Sequence, residues 1–330
     1  MDRLQEALAQ CGRLVIDGSM STALEHLGCK LNDKLWTARV LAERPETVKE
    51  VHLQYMRAGA DCHITCSYQA TLPGLLENGF SQAEAAEIIR RSVRVFREAR
   101  DEWWEQEGGK DSGRVYPICL AGMGPYGAYL SDGSEYVGRY GADDATLRDF
   151  HASRMRLLLE EKPDYLLFET MPSFGEVLIA TELAEQAEAD YWVSFSCLDG
   201  KHICEGDAIR DCAETLSKER PRLKAIGVNC VKPQFVESLI HELKAGCSLP
   251  VVAYPNSGET WNPVKKIWYG GGGTLSFGEY ARRYYEAGAA AVGGCCTTVA
   301  SHIRQVAEAK RYSPCIKADN RTTAVKTYSI

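Results

Sequence analysis

No apolar run in the 330-residue chain approaches the roughly 20 residues needed to cross a bilayer. The N-terminal Met1-Asp2-Arg3-Leu4-Gln5-Glu6 also lacks the apolar core of a secretion signal, so the chain is expected to be soluble and cytoplasmic. The formal net charge is -7 and basic residues form no long run, so neither a nucleic acid nor an anionic membrane is called for as a partner. Two familiar phosphate cradles are missing. Residues 17–21, Asp-Gly-Ser-Met-Ser, do not make a Gly-x-Gly-x-x-Gly turn, and Gly270 to Gly273 are followed by no Lys-Ser/Thr pair. The glycine run reads instead as a loop hinge. There is no Cys-x-x-Cys pair, and the histidines, His63 and His151 among them, show no metal spacing and read as structural or surface residues. No lysine stands at a strand end to form a Schiff base, which disfavours a barrel lyase or aldolase. There is no internal repeat or low-complexity linker, and no oligomeric interface is legible.

What the chain does have is an ordinary globular balance, 45% hydrophobic and 25% charged, and enough length for a core that needs no disulfides. Its thirteen cysteines are therefore expected as reduced thiols, most of them buried as small apolar residues. Eight short apolar runs read as strands: 14–16, 60–65, 116–121, 165–168, 191–195, 225–228, 250–254 and 289–292. Amphipathic segments with helical spacing lie between them, at 83–107, 145–161, 174–187, 235–245, 277–287 and 300–310. Eight such β-then-α units predict a single (β/α)8 barrel, a TIM barrel, over residues 1–315, with 316–330 as a tail; a doubly wound open sheet is the alternative. Two connections are long: one from Gly122 to about Asp143 and one from Pro255 to Gly273, the latter holding Trp261, Trp268 and Tyr269. Both follow strands and belong on the C-terminal face, where long loops build or cover a site.

The strand ends carry polar residues: Asp17, Ser67 with Tyr68, Glu169, Ser196, Asn229 with Cys230, Tyr254 with Asn256, and Cys295-Cys296. In a barrel these ends share one rim, so independent strands would deliver an acid, an amide and thiols to one place. Cys295 and Cys296 are adjacent, and a regular strand would point them to opposite faces. Gly293 and Gly294 just before them give the chain freedom to turn. Cys230, at the end of the sixth strand, is the natural third thiol across the mouth. Three thiolates leave one tetrahedral position free, the hallmark of a catalytic zinc, and soft sulfur favours zinc over magnesium or calcium. From spacing alone, a metal site and a chance Cys-Cys pair in a cysteine-rich chain both stay open. Cys62, Cys66, Cys119 and Cys197 fall on strands and read as core thiols.

At these residues the chain resembles the homocysteine S-methyltransferase family. The resemblance rests on Asp17-Gly18-Ser19-Met20-Ser21-Thr22, Gly59-Ala60-Asp61, Gly227-Val228-Asn229-Cys230 and Gly293-Gly294-Cys295-Cys296-Thr297-Thr298, and runs from about Leu14 to about Lys310. Leu31-Asn32-Asp33-Lys34-Leu35-Trp36, the segment from Gly124 to Tyr136 and Tyr254-Pro255-Asn256-Ser257-Gly258-Glu259 are similar to the branch that uses S-methylmethionine. Thr297 departs from that branch, which commonly has Arg there.

The resemblance implies a (β/α)8 barrel, one Zn2+ per chain on Cys230, Cys295 and Cys296, and methyl transfer from a sulfonium donor, S-methylmethionine or S-adenosylmethionine, to the sulfur of homocysteine. With no cobalamin module after the barrel, a free small molecule would carry the methyl group. No side chain beyond the metal-activated thiolate is required as a catalyst, because the proton leaves when the thiol meets the metal. Glu169 is implied as the ligand of the homocysteine ammonium, against a plain helix cap. Asp17 reads equally as an ammonium or rim contact and as a cap, and Asn229 as a hydrogen-bonding partner of the metal ligands or a turn residue. Ser67 and Tyr68 complete the candidate substrate contacts. Trp36, Tyr126 and Tyr129, together with Tyr68, are candidates for an aromatic sulfonium pocket. A selenocysteine methyltransferase and a non-catalytic zinc- or thiol-sensing barrel are the alternatives.

Overall fold

The structure is a computed structural model and describes residues 2–262, 267–269 and 275–312; the predicted hinge glycines 270–273 and the tail 316–330 lie outside the described residues. Eight parallel strands form the predicted barrel: β1 (Leu14–Val15), β2 (Cys62–Ile64), β3 (Ile118–Met123), β4 (Tyr165–Met171), β5 (Tyr191–Phe195), β6 (Leu223–Asn229), β7 (Val251–Tyr254) and, after a small hairpin, β10 (Ala291–Val292). Strands β2 to β7 pair in chain order; β10 lies between β7 and β1. The circle closes where Ile16 pairs with Cys62 and the Asp17 amide donates to the Cys62 carbonyl at 3.0 Å. The hairpin strands β8 (Thr260–Asn262) and β9 (Ile267–Tyr269) lie within the long connection after β7.

The strands are predominantly apolar and almost wholly buried because both of their faces are covered. Alternation divides the apolar residues into two cores. Leu14, Ile16, Ile118, Leu120, Tyr165, Leu167, Trp192 and Val252 fill the barrel interior, while Val15, Leu166, Phe168, Val193, Ile226 and Val228 pack outward against the helices. Glu169 shares the parity of Tyr165 and Leu167, which places it above the interior packing at the C-terminal end of β4. The opposite end is plugged by the helix Arg3–Cys11, whose Leu4 and Ala7 join the interior core and whose Leu4 amide donates to the Tyr165 hydroxyl at 2.8 Å.

The predicted helices appear within a few residues of their expected ends, as Gln82–Gln106, Asp144–Glu160, Phe174–Gln186, Pro233–Gly246, Phe277–Ala287 and Ala300–Tyr312. Local chemistry sets several of the boundaries. Ser81 with Glu84, and Ser276 with Glu279, form reciprocal capping boxes. Gly288 ends the helix before β10 at φ 107, a backbone angle that favours glycine. Among the described residues no helix is long and apolar enough to cross a membrane.

Two histidines lie inside this framework. His52, on the helix Pro45–Ala58, and His63, on β2, are fully buried, with their rings 5.3 and 5.5 Å from Phe96. Burial pushes the His52 imidazole down to about 3 and His63 also well below its usual range. An unfolded histidine titrates near 6.5, so between about 6.5 and about 3 the unfolded chain binds a proton that folded His52 refuses. Stability from this source is full above that window and falls as the pH drops through it. Urea unfolding followed from pH 7 to 4 should lose stability more steeply in the wild type than in His52→Leu; equal slopes would show that His52 does not contribute.

Candidate functional site

The three predicted thiols converge at the C-terminal rim, where the ligand atoms of Cys230, Cys295 and Cys296 all lie within 4.8 Å of one another. The Cys230 and Cys296 sulfurs are 3.4 Å apart. Two local departures from regular strand produce this. Cys230, one residue past β6, takes φ 53, a left-handed conformation that an L-residue adopts at a cost of about 1–2 kcal/mol. β10 stops at Val292, and Gly293-Gly294 carries the chain into a turn. A Cβ on Gly293 would stand 2.6 Å from Ile16, and one on Gly294 2.4 Å from the Thr298 hydroxyl, so only glycine lets this rim close on β1. The turn is held by the Cys295 amide to the Pro255 carbonyl at 2.7 Å and the Ser257 amide to the Cys296 carbonyl at 3.2 Å.

Three sulfurs at these separations suit one soft divalent ion, since ligand bonds of about 2.3 Å in a tetrahedron put sulfurs about 3.8 Å apart. Neighbouring groups favour one negative charge in the cluster, on Cys230, which in turn pushes the Cys295 and Cys296 thiols well above their ordinary range. The Cys230 thiol is held well below its ordinary range by hydrogen bonds from Cys295 and Cys296, with the Tyr136 hydroxyl adding a contact at 3.2 Å. Asn229 is fully engaged: its carbonyl oxygen accepts from the Thr170 amide at 2.8 Å and its amide donates to the Thr170 hydroxyl at 2.8 Å, with Cys295 Sγ at 3.9 Å. It braces β6 against β4 and leans on a thiol, and it does not line the cavity.

The thiols line one wall of a cavity of about 120 Å³, and Glu169, Tyr68, Trp36, Thr65, Glu135 and Tyr136 line others. Burial pushes the Glu169 carboxyl up to about 8, reinforced by negative charge on Cys230 and opposed by Arg154. Burial also holds Asp17 well above the carboxylate range; its Oδ2 accepts from the Ile64 amide at 3.0 Å, while its buried Oδ1 has no partner. Neither acid caps a helix. Ser19 caps Met20–His26 and Ser173 caps Phe174–Gln186, so the cap readings of Asp17 and Glu169 fall away. Space for Glu169 comes from Gly122, where a Cβ would stand 2.7 Å from its Oε1.

Other candidates are placed differently. Ser67 is fully buried and donates to the Gly122 carbonyl at 2.6 Å, so it ties β2 to β3 and leaves the cavity to Thr65. Tyr126 and Tyr129, on the short helix Tyr126–Leu130, pack on Phe150 outside the cavity, and the Tyr129 hydroxyl bonds Glu77. Cys66 lies at the cavity wall, but burial pushes its thiol up to about 12 and its sulfur faces the Thr37 carbonyl at 3.7 Å. Folding also brings His52, His63 and Asp17 within 4.8 Å of one another, a grouping invisible in their spacing. Thr297 reaches Glu259 at 2.8 Å and Ser257 at 2.6 Å, so a hydroxyl ties the rim of β10 to an acid of the loop after β7.

Several residues that support the site carried no sequence signal. Arg154 is fully buried behind the site, donating to the carbonyls of Tyr68 at 3.0 Å and Gly124 at 2.6 Å, with its guanidinium 5.0 Å from the centre of the Phe150 ring. Glu176 holds the same loop. Its Oε1 accepts from the Tyr126 amide at 2.7 Å and meets His151 Nε2 at 2.8 Å, and its Oε2 binds the Tyr140 hydroxyl.

A parallel eight-stranded barrel that brings three thiols, close enough to share one metal ion, and a buried acid to its C-terminal rim has the architecture of a barrel enzyme. The homocysteine S-methyltransferase family model matches residues 14–310, and the chain belongs to that family. Homocysteine S-methyltransferase YbgG of Bacillus subtilis is 44% identical over 308 residues, covering 93% of this chain and 97% of the relative. Homocysteine S-methyltransferase 1 of Zea mays is 44% identical over 93% of this chain and 98% of its own. The metallated form of the homocysteine methyltransferase MmuM from Escherichia coli superposes with a TM-score of 0.83 at 36% identity, covering 93% of this chain and 99% of that one. These relatives set aside the non-catalytic sensor.

Replacing Arg154 by Met would strand two buried carbonyls and remove their charged donor. Urea unfolding should show a loss of about 3 kcal/mol; a loss below about 0.5 kcal/mol would mean that water replaces the guanidinium.

Proposed function

We propose that this enzyme transfers a methyl group from a sulfonium donor, S-methylmethionine foremost, to homocysteine, with one zinc ion held by Cys230, Cys295 and Cys296. The observation that carries this reading is the placement of three mutually close sulfurs on the wall of a cavity that also contains a buried carboxylate. Bound there, zinc would lower the pKa of a substrate thiol from about 8.5 to below 7, so that its sulfur is anionic at neutral pH.

The chain's own residues then bind and orient. Glu169 takes the homocysteine ammonium, and a cation there favours the ionised form of a carboxyl that burial alone pushes toward neutrality. Asp17, at the end of β1, supports the same ammonium from the neighbouring rim. The Asn229 amide, 3.9 Å from Cys295 Sγ, steadies that sulfur while fixing β6 to β4. Tyr68 and Trp36 offer aromatic faces to the sulfonium. In the transfer step the homocysteine sulfur lone pair forms the new S–CH3 bond, and the donor's C–S bonding pair leaves with its sulfur as a neutral thioether. With S-methylmethionine both products are methionine, and the thiol proton has already been released to solvent. No side chain needs to act as a general base in that step.

A relative from Astragalus bisulcatus, 39% identical over 92% of this chain, is named selenocysteine methyltransferase. The same constellation suits selenocysteine, whose amino-acid handle is identical and whose selenol ionises more readily, so selenocysteine belongs in the assay as a second acceptor.

Elemental analysis should find about one zinc per chain, lost in Cys230→Ser and in Cys295→Ser; a metal-free protein that retains full activity would overturn the mechanism. Methionine formation from homocysteine, measured with S-methylmethionine, S-adenosylmethionine and betaine in parallel, should be fastest with S-methylmethionine. For Glu169→Ala the homocysteine KM should rise at least tenfold with zinc content unchanged, and loss of zinc would reassign that residue to the metal site.

A further inference from the structure

The cavity contains a second acid, Glu135, that the roles above leave unused. It lies on the one-turn helix Ser134–Tyr136 in the loop after β3, and the next residue, Tyr136, touches the Cys230 sulfur. Its backbone is fixed, with the carbonyl accepting from the Ser196 hydroxyl at 3.0 Å and the loop pinned by Arg154 and Glu176. Its side chain is not satisfied: Oε2 is shielded from solvent and has no hydrogen-bond partner among the described residues. The described cavity lining contains no lysine, arginine or histidine to neutralise it. A buried carboxylate oxygen without a donor costs roughly 1–3 kcal/mol or more. A ligand ammonium in the cavity would supply the missing donor.

Resting on the sulfonium-donor reading above, we propose that Glu135 binds the α-ammonium of the methyl donor and so selects donors that are amino acids. Hydrogen-bond chemistry decides between the donor's two cations. A sulfonium has no N–H or O–H to offer an orphaned oxygen, whereas an ammonium has three donors. The sulfonium is served instead by the aromatic faces of Tyr68 and Trp36, which line the same cavity. Two acids then divide two amino acids: Glu169, rising from β4 inside the barrel, holds the acceptor's ammonium, and Glu135, on the loop above, holds the donor's.

The test is steady-state kinetics of the zinc-loaded enzyme with two donors that share the sulfonium chemistry: S-methylmethionine, which has an α-ammonium, and dimethylsulfoniopropionate, which has none. Wild type should prefer S-methylmethionine. Glu135→Gln should raise the S-methylmethionine KM at least tenfold, leave the homocysteine KM and zinc content unchanged, and leave kcat/KM for dimethylsulfoniopropionate within twofold. Glu135→Asp should recover part of the loss. An equal loss with both donors, a change confined to homocysteine, or an unchanged S-methylmethionine KM would each overturn the assignment while wild-type activity upholds the sulfonium reading. A wild type inert to every sulfonium donor would overturn that reading, and the role of Glu135 with it.

Discussion

The arrangement of the site follows from one constraint: three sulfurs from two non-adjacent strands must meet within 4.8 Å. β7 lies between their parent strands, so each chain end has to leave its ladder and turn inward. Cys230 does so through a left-handed residue, and Cys295 and Cys296 through a glycine pair whose missing Cβ atoms allow contact with Ile16 and Thr298. Neither turn would persist without support, since left-handed geometry costs energy and glycine gives up more chain entropy than other residues. The support is the rim itself: Pro255 and Ser257 grip the cysteine turn, the Thr297 amide donates to the Thr22 hydroxyl, and the Ser19 amide donates to the Thr298 hydroxyl. The loop after β7 and the first βα turn are thus parts of the thiol site as much as of the barrel.

That dependence explains what was legible in the sequence. The eight strands were visible because both faces of each are buried, which leaves short, mostly apolar runs that the few polar residues within them, such as His63, Ser194 and Lys224, do not break up. The thiol trio was visible because it sits where those runs stop, and a barrel brings every stop to one rim. Glu169 was visible for the same reason, although β4 continues past it to Met171 through a register shift, with Thr170 in a left-handed conformation. The competing cap readings could be settled only in three dimensions, because serine at 19 and at 173 does the capping that the nearby acids would equally have suited.

That the loop after β3 helps build the site was legible, but which of its residues face the cavity was not. Its aromatic residues look alike in sequence, yet one helical turn sends Tyr126 and Tyr129 outward onto Phe150 and leaves Tyr136 and Glu135 facing the thiols. Arg154 and Glu176 decide that outcome from helices 30 to 50 residues downstream of the loop atoms they hold, as ordinary charged positions on amphipathic helices. A guanidinium whose nearest polar atoms are two loop carbonyls cannot be inferred from spacing, because its partners carry no side-chain signature.

The electrostatic character of the cavity is set by this division of labour. Arg154 is the buried cation behind the site, and it spends its donors on backbone carbonyls instead of pairing with an acid. Glu169 and Glu135, which line the cavity, and Asp17, behind its wall, are therefore left with burial as the dominant influence, which pushes all three carboxyls up, Glu135 to about 7 and Glu169 to about 8. Such a cavity is poised for cations: each arriving positive group favours ionisation of an acid and recovers the desolvation cost of burying it. On the proposed reading, a sulfonium amino acid would enter with a net positive charge and leave, after transfer, as a neutral zwitterion. The carboxylates that favour its arrival would then have one fewer cation to hold, so the same charges that draw in such a donor would weaken the grip on its product.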